Sequence, residues 1–300
     1  MTTIQCLNEH HGEGFTAYHG DCVSILRQMP SESIDVSIYS PPFSNLFCYS
    51  DSQADMGNAA TDAEFLQHYG FLLKELYRLT LPGRLSAVHC SDLTLRKWKD
   101  GVIGIKDLSC GIIAAHEAAG WVLHSRITIW KSPVVEMTRT KALGLLYKQL
   151  QKDSARSRAG MPDYLLVFRK DGENPKPIAH TPQSFSLDQW QEWASPVWMT
   201  VDQTRTLNVQ AAREDRDERH LCPLQIDVIE RALTLWSNPG DVVASPFMGI
   251  GSEGVTALKM DRKFIGTELK ESYFRQAVGY LDAADRQLSM LTALAHAKTR

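Results

Sequence analysis

Two short segments of the chain carry residue types and spacings that can do chemistry. The first is Ser40-Pro41-Pro42-Phe43, which follows the run Ile34-Asp35-Val36-Ser37-Ile38-Tyr39. It sets a short hydroxyl, a proline-fixed carbonyl and an aromatic ring at one strand end. The two prolines lack the N–H groups a central ladder needs and bias the preceding backbone to extended form, so the strand stops and a rigid loop begins. Taken by itself, the tetrapeptide reads as a proline turn capped by a buried Phe. The second segment is Ser245-Pro246-Phe247-Met248-Gly249-Ile250-Gly251-Ser252-Glu253-Gly254, in which Gly249, Gly251 and Gly254 satisfy G-x-G-x-x-G. Glycines there let the backbone turn tightly and approach a ligand, and Glu268 follows at the spacing of a carboxylate that accepts from ribose hydroxyls. The loop predicts a nucleotide-like cofactor, NAD included, without naming it.

The elements that must position these residues follow from periodicity and turn chemistry. A strand ending at Gly20-Asp21, a helix through Ile25 and Leu26, and a strand over 34–39 open the chain. Residues 44–62, rich in Ser, Asp, Asn and Gly, predict a mobile loop. A helix over 63–79 ends at Leu81-Pro82-Gly83, and a strand over 85–89, a helix over 112–119 and a strand over 122–130 come next. Residues 164–168 form one more strand, while 171–219 mix Pro, Trp and charge without a readable period. The last third predicts a helix over 223–236, a strand over 241–245 before the glycine loop, a helix over 252–260, a strand over 263–268 and a helix over 273–294. Strands alternating with helices imply a mostly parallel sheet, hence an α/β fold.

Composition removes other classes. Three hundred residues with 43% hydrophobic and 22% charged are an ordinary globular chain, long enough for a large α/β domain with an insertion. The net charge of -3 excludes nothing by itself, yet residues 131–170 hold nine Lys/Arg against three Asp/Glu, so a basic segment sits inside an acidic chain. Its Lys131, Arg139, Lys141, Lys148, Lys152, Arg156 and Arg158 flank an apolar run (Leu143, Leu145, Leu146, Leu150) readable as a helix, a pattern that suits phosphates. The six cysteines make no C-x-x-C pair and no zinc spacing, so no metal is expected and the setting is reducing and cytoplasmic. No eighteen-residue apolar run or signal-like start predicts membrane contact. G-x-S-x-G, Walker and H-E-x-x-H motifs are missing, and isolated His19, His89 and His116 are expected to be core or surface residues.

The Ser40-Pro41-Pro42-Phe43 segment resembles the catalytic motif of the amino-group DNA methyltransferases, in which Asp, Asn or Ser precedes Pro-Pro and then Tyr or Phe. The likeness extends to Gly20-Asp21-Cys22, to Trp130-Lys131, to Arg219-His220-Leu221-Cys222-Pro223-Leu224 and to the glycine loop. Catalytic motif first, target recognition next and cofactor loop last is the permuted, β-class order. The resemblance implies a Rossmann-like, circularly permuted, three-layer αβα fold with a target-recognition insertion, split as 1–130 (catalytic half), 131–219 (target recognition) and 220–300 (cofactor half). It departs from the family at Ser245, where Asp is common, and at Met248, where small residues are.

The same resemblance implies roles. S-adenosyl-L-methionine would be held by Asp21, Cys22, Ser245, Pro246, Phe247, Gly249, Gly251, Ser252 and Glu268. Ser40 Oγ and the Pro41 carbonyl would accept hydrogen bonds from the target amine while Pro42 stiffens the turn and Phe43 stacks on a base flipped from double-stranded DNA. Ser at position 40 matches the N4-cytosine group, with N6-adenine the alternative. A homodimer is common in the family. A C5-cytosine enzyme would need a Pro-Cys thiolate, and the chain has only Cys222-Pro223. An NAD oxidoreductase, which has no use for Ser-Pro-Pro-Phe, and a non-catalytic DNA-binding relative are the rival readings.

Overall fold

A computed structural model describes residues 4–42, 55–95, 97–140, 142–208 and 223–298. In chain order the strands are β1 (Asn8–His11), β2 (Phe15–His19), β3 (Ile34–Tyr39), β4 (Thr80–Ser91), β5 (Leu93–Leu95), β6 (Gly104–Lys106), β7 (Val122–Ile129), β8 (Asp163–Arg169), β9 (Val197–Trp198), β10 (Val242–Ser245) and β11 (Lys263–Glu268). The helices are α1 (Cys22–Leu26), α2 (Asp62–Leu79), α3 (Lys97–Asp100), α4 (Ser109–Ala118), α5 (Pro133–Thr140), α6 (Tyr147–Lys152), α7 (Leu187–Trp193), α8 (Ile226–Trp236), α9 (Ser252–Lys259) and α10 (Glu271–Lys298).

Nine strands form one sheet in the order β1-β2-β11-β10-β3-β4-β8-β7-β9, and β5 and β6 make a separate hairpin. From β2 to β4 the neighbours are all parallel; β8 runs antiparallel to both β4 and β7. The expected parallel sheet is therefore a parallel block with an antiparallel flank. Alternate residues face two cores. Val36, Ile38, Leu85, Ala87, Leu165, Val167, Val243 and Phe264 pack against α8, α9 and α10. Val88, Cys90, Leu166, Phe168 and Ala244 pack against α1, α2 and α4, which completes three layers.

Local chemistry explains the boundaries. Thr61 accepts from the Glu64 amide while Glu64 reaches back to the Ala60 amide, a reciprocal cap that starts α2. That helix buries Phe65, Tyr69, Leu72, Leu73, Leu76 and Leu79, each contributing about 1.5–3 kcal/mol. Leu81-Pro82-Gly83 does not separate helix from strand: α2 passes straight into β4 at Thr80, and the register shift between Ile34 and Val36 absorbs the irregular residues, with Gly83 at φ +69. The helix expected from Pro223 begins at Ile226, because Gln225 ahead of it is extended. The run Leu143–Leu150 is not one helix. A 3-10 turn over Leu143–Leu145 and α6 are split by extended Leu146, where Gly144 instead accepts the Arg158 amide at 3.1 Å. Of the stretch 44–62, residues 44–54 lie outside the described residues, and Met56–Asn58 form a 3-10 turn capped by Asp55.

At the edge where the parallel strands begin, fully buried Arg84 donates to the Asp35 carbonyl at 2.9 Å and pairs with Asp241, and Asp35 accepts from Lys176 and the Val242 amide. The opposite, carboxyl edge is thus free for chemistry.

Candidate active site at the carboxyl edge of the sheet

Strand direction and alternation deliver four polar side chains to one place. Ser40 follows Val36 and Ile38 on the face of α8–α10, and His89 follows Leu85 and Ala87 on that same face. Because β8 is antiparallel to β4, Asp163 stands at its start, ahead of Leu165 and Val167, and Lys131 follows Ile127 and Ile129 off the end of β7. The contacts agree. Ser40 Oγ lies 3.2 Å from the His89 carbonyl oxygen and 3.4 Å from His89 Nδ1. His89 Nε2 lies 3.2 Å from Asp163 Oδ2, and Lys131 Nζ donates to Asp163 Oδ1 at 2.6 Å. Burial alone would raise the Asp163 carboxyl, but the imidazole and ammonium beside it outweigh burial and hold it down at about 2.

The glycine loop leaves the adjacent strand at the same edge. Strand β10 pairs in parallel with β3, Val243 opposite Val36 and Ala244 opposite Ser37, so Ser245-Pro246-Phe247 emerges beside Tyr39-Ser40. The Phe247 and Tyr39 rings stand 6.0 Å apart between centroids. Gly249 (φ +53) and Gly251 (φ +91) are left-handed, as the turn demands, and Gly251 caps α9. Thr267 Oγ1 donates to the Pro246 carbonyl, the Met248 amide to the Thr267 carbonyl, and the Gly249 amide to Glu268 Oε2. The loop is thereby laced to β11. Gly254 serves packing, since a Cβ there would sit 2.5 Å from Phe264 Cδ1.

Glu268 takes the Lys270 amide on its other oxygen, and its backbone carbonyl accepts from Gly20. That bond brings the Gly20-Asp21-Cys22 turn to the same edge, where Asp21 caps α1 by accepting from the Ser24 amide and hydroxyl. Cys22 is buried and its thiol is pushed well up by burial, with Asp21 adding to it, so it is no nucleophile. Burial also raises Glu268 to about 7, opposed by the Lys270 and Gly249 amides and aided by Asp55. Glu253, on the first turn of α9 and 4% exposed, is raised by burial to about 8.

Among the described residues Ser245 Oγ is buried without a hydrogen-bond partner, and a Cβ on Gly249 would meet nothing within 4 Å. A free hydroxyl, an open glycine and a carboxylate with unused lone pairs suit a ligand carrying a ribose and a polar tail. Among the described residues no group of three His, Cys, Asp or Glu side chains could hold a metal, and no helix is long and apolar enough to cross a membrane.

The structure brings Ser40, Pro41 and Pro42 together with Ser245–Ser252, Glu268 and Asp21-Cys22 along one edge. Phe43, Lys141 and residues 219–222 lie outside the described residues, as does the Arg139 side chain. The basic segment is only partly free. Lys131 is bound to Asp163, Arg158 to Glu136 at 2.6 Å and Arg156 to Asp153 at 3.2 Å, whereas exposed Lys148 and Lys152 have no acidic partner within 4 Å among the described residues. His116 is a core histidine, stacked on Phe168 with centroids 3.7 Å apart and driven by burial down to about 3. His89 and Asp163 are the site residues that sequence reasoning missed. Alternation along Leu85-Ala87-His89 was the available signal for the histidine, since it sets His89 level with Ser40.

Residues 34–279 match the family model described as DNA methylase. The DNA adenine methyltransferase YhdJ of Escherichia coli K12 is 25% identical over 276 residues, 91% of this chain and 84% of that protein. The type II methyltransferase M.MjaI of Methanocaldococcus jannaschii is also 25% identical, over 66% of this chain and 61% of its own length. Two solved structures share the fold. TTHA0409 of Thermus thermophilus, complexed with S-adenosyl-L-methionine, superposes with a TM-score of 0.65 at 18% identity, covering 90% of this chain and 95% of that one. The cytosine-N4-specific PvuII DNA methyltransferase superposes with 0.63 at 16% identity, covering 92% and 93%.

Proposed function

The chain belongs to the DNA methylase family, and from that membership we propose that it transfers a methyl group from S-adenosyl-L-methionine to the exocyclic N4 amine of cytosine in double-stranded DNA. The observation that carries the proposal is the adjacency of Ser40 and the glycine loop on parallel neighbours β3 and β10, with both segments leaving the same edge. A methyl donor held by one segment and an amine held by the other would meet there. The fold is the Rossmann-like αβα arrangement in its permuted order, the catalytic strand preceding the cofactor strand in the chain.

The donor-binding residues fit such a group. Glu268 keeps lone pairs for ribose hydroxyls, Asp21 and Cys22 line the adenine side, and Ser245, Pro246, Phe247, Gly249, Gly251 and Ser252 form the wall toward the polar tail. Bound there, S-adenosyl-L-methionine supplies an electrophilic sulfonium methyl. An exocyclic amine is a poor nucleophile because its lone pair is delocalised into the ring. Ser40 Oγ and the Pro41 carbonyl, accepting from the amine hydrogens, favour the tetrahedral nitrogen in which that pair points outward and is available. The rigid Pro41-Pro42 turn holds both acceptors, and Phe43 offers a stacking face for a base taken out of the duplex, which offsets part of the few kcal/mol that flipping costs.

Target recognition is assigned to 131–219, and within it to the part that lies outside the sheet. A homodimer working in the cytoplasm completes the reading. Ser40 carries the choice of cytosine; the adenine specificity in the name of the E. coli relative is the alternative. Digestion of DNA from expressing cells and mass spectrometry of its nucleosides tests the base. N4-methylcytosine is expected, and N6-methyladenine in its place would move the assignment to adenine. Calorimetry with S-adenosyl-L-methionine and NAD tests the donor, and binding of NAD alone would reverse the class.

A further inference from the structure

Three strands beyond the proposed catalytic motif contribute a line of groups that direct methyl transfer does not itself use. Ser40 follows β3, His89 lies near the end of β4, Asp163 begins β8 and Lys131 follows β7, each in contact with the next. His89 is 7% and Asp163 2% exposed. A buried carboxylate is costly unless its partners are held in place, and the sheet register holds all of them.

We propose that His89, oriented by Asp163 and Lys131, positions the Ser40 hydroxyl and takes up the proton that the target amine loses. This rests on the reading of Ser40 as the acceptor of that amine. The nitrogen lone pair forms the new N–C bond, the S–C pair stays with sulfur, and the nitrogen must then shed one proton. That proton passes to Ser40 Oγ as the hydroxyl's own proton passes to His89 Nδ1. The resulting imidazolium faces the Asp163 carboxylate and later releases its proton to water. The relay requires Nδ1 unprotonated and Nε2–H on the side of Asp163, whose Oδ2 lies 3.2 Å away and is brought into line as the site closes on its substrate. Among the described residues the charged groups meeting His89 on this face are Asp163 from β8 and Lys131 behind it; Asp163 also acts on Cys90, around which Asp92, Asp107 and Arg126 gather.

Single-turnover methyl transfer, measured from pH 5 to 9 with Ser40→Ala, His89→Asn and Asp163→Asn, tests the relay beside nitrogen-detected NMR of the free protein. His89→Asn keeps a hydrogen-bonding group beside Ser40 yet cannot take up a proton. It should slow transfer by about 100-fold and erase the acid limb of the wild-type rate profile. Its affinity for S-adenosyl-L-methionine should stay within about threefold. Asp163→Asn should move the acid limb to lower pH, because the imidazolium loses its counter-charge. NMR should find Nε2 carrying the proton in the wild type. A His89→Asn enzyme that keeps the acid limb or a near wild-type rate, or a wild type protonated at Nδ1, overturns the relay. If Ser40→Ala is inactive while His89→Asn is unimpaired, only the relay fails; if Ser40→Ala transfers normally, the reading of Ser40 fails as well.

Discussion

The backbone amide of Gly249 donates to Glu268 Oε2 at 2.9 Å, joining the end of β10 to the end of β11. One carboxylate therefore shapes the loop and faces the ligand side at once, its second oxygen being anchored by the Lys270 amide. Removing it should cost twice. Glu268→Ala is expected to weaken S-adenosyl-L-methionine binding by about 10- to 100-fold, the equivalent of one or two charge-assisted hydrogen bonds. Isothermal calorimetry reads this directly, and an unchanged dissociation constant would take Glu268 out of the site.

Two buried carboxyls make the stability of the free protein depend on pH in an unusual direction. Glu253 is raised from 4.5 to about 8 and Glu268 from 4.5 to about 7, each mainly by burial. Their folded forms hold protons that the unfolded chain has released, so their contribution is complete below about pH 4.5 and is lost as pH rises through 7 to 8. Urea unfolding of the ligand-free protein should show a midpoint that falls between pH 5 and 8, by an amount of order a few kcal/mol. Glu253→Gln should flatten the decline. Asp163 acts oppositely, its contribution being present near pH 4 and lost toward about 2.

Legibility followed burial. Strand β3 is buried throughout and β10 nearly so, and both read as strands stopped at a Ser-Pro pair. The strands β1, β5, β6 and β9 have two to four residues and bury only Leu93 and Trp198 among them, so their existence depends on partners distant in sequence. Arg84 shows the same limit: no local pattern predicts a fully buried arginine, because Asp35 and Asp241 that receive it come from other strands. His89 belongs to both cases. Its strand was legible, but its meaning required Asp163, which antiparallel pairing with β8 supplies.

Two glycines of the helices α9 and α10 should respond oppositely to alanine. At Gly254 a Cβ would sit 2.5 Å from Phe264 Cδ1 and 2.6 Å from Leu281 Cδ2, both in the core, so the helix must move off the sheet. Gly254→Ala should destabilise by about 1–3 kcal/mol. At Gly279, on the exposed side of α10, a Cβ would meet nothing within 4 Å. Gly279→Ala should stabilise by about 0.5–1 kcal/mol through helix propensity alone. Thermal unfolding of the two variants tests whether the third glycine of the motif is there for close packing; equal responses would refute that.

The basic segment should divide by what its cations already touch. Lys131 is held by Asp163 and Arg158 by Glu136, whose other oxygen takes the Met161 amide. A cation so engaged cannot reach a phosphate without breaking a partly buried pair. Exposed Lys148 and Lys152, on α6, have no such commitment among the described residues. Each phosphate neutralised contributes roughly 0.9 to the slope of log affinity against log salt. Lys148→Ala with Lys152→Ala should therefore weaken duplex binding similarly for all sequences and lower that slope by about 2. Arg158→Ala should leave the slope nearly unchanged while releasing Glu136, which its guanidinium holds at 2.6 Å. Anisotropy titrations between low and moderate salt separate the two outcomes. A slope that moves with Arg158 and not with the lysine pair would place the DNA on the other side of this segment.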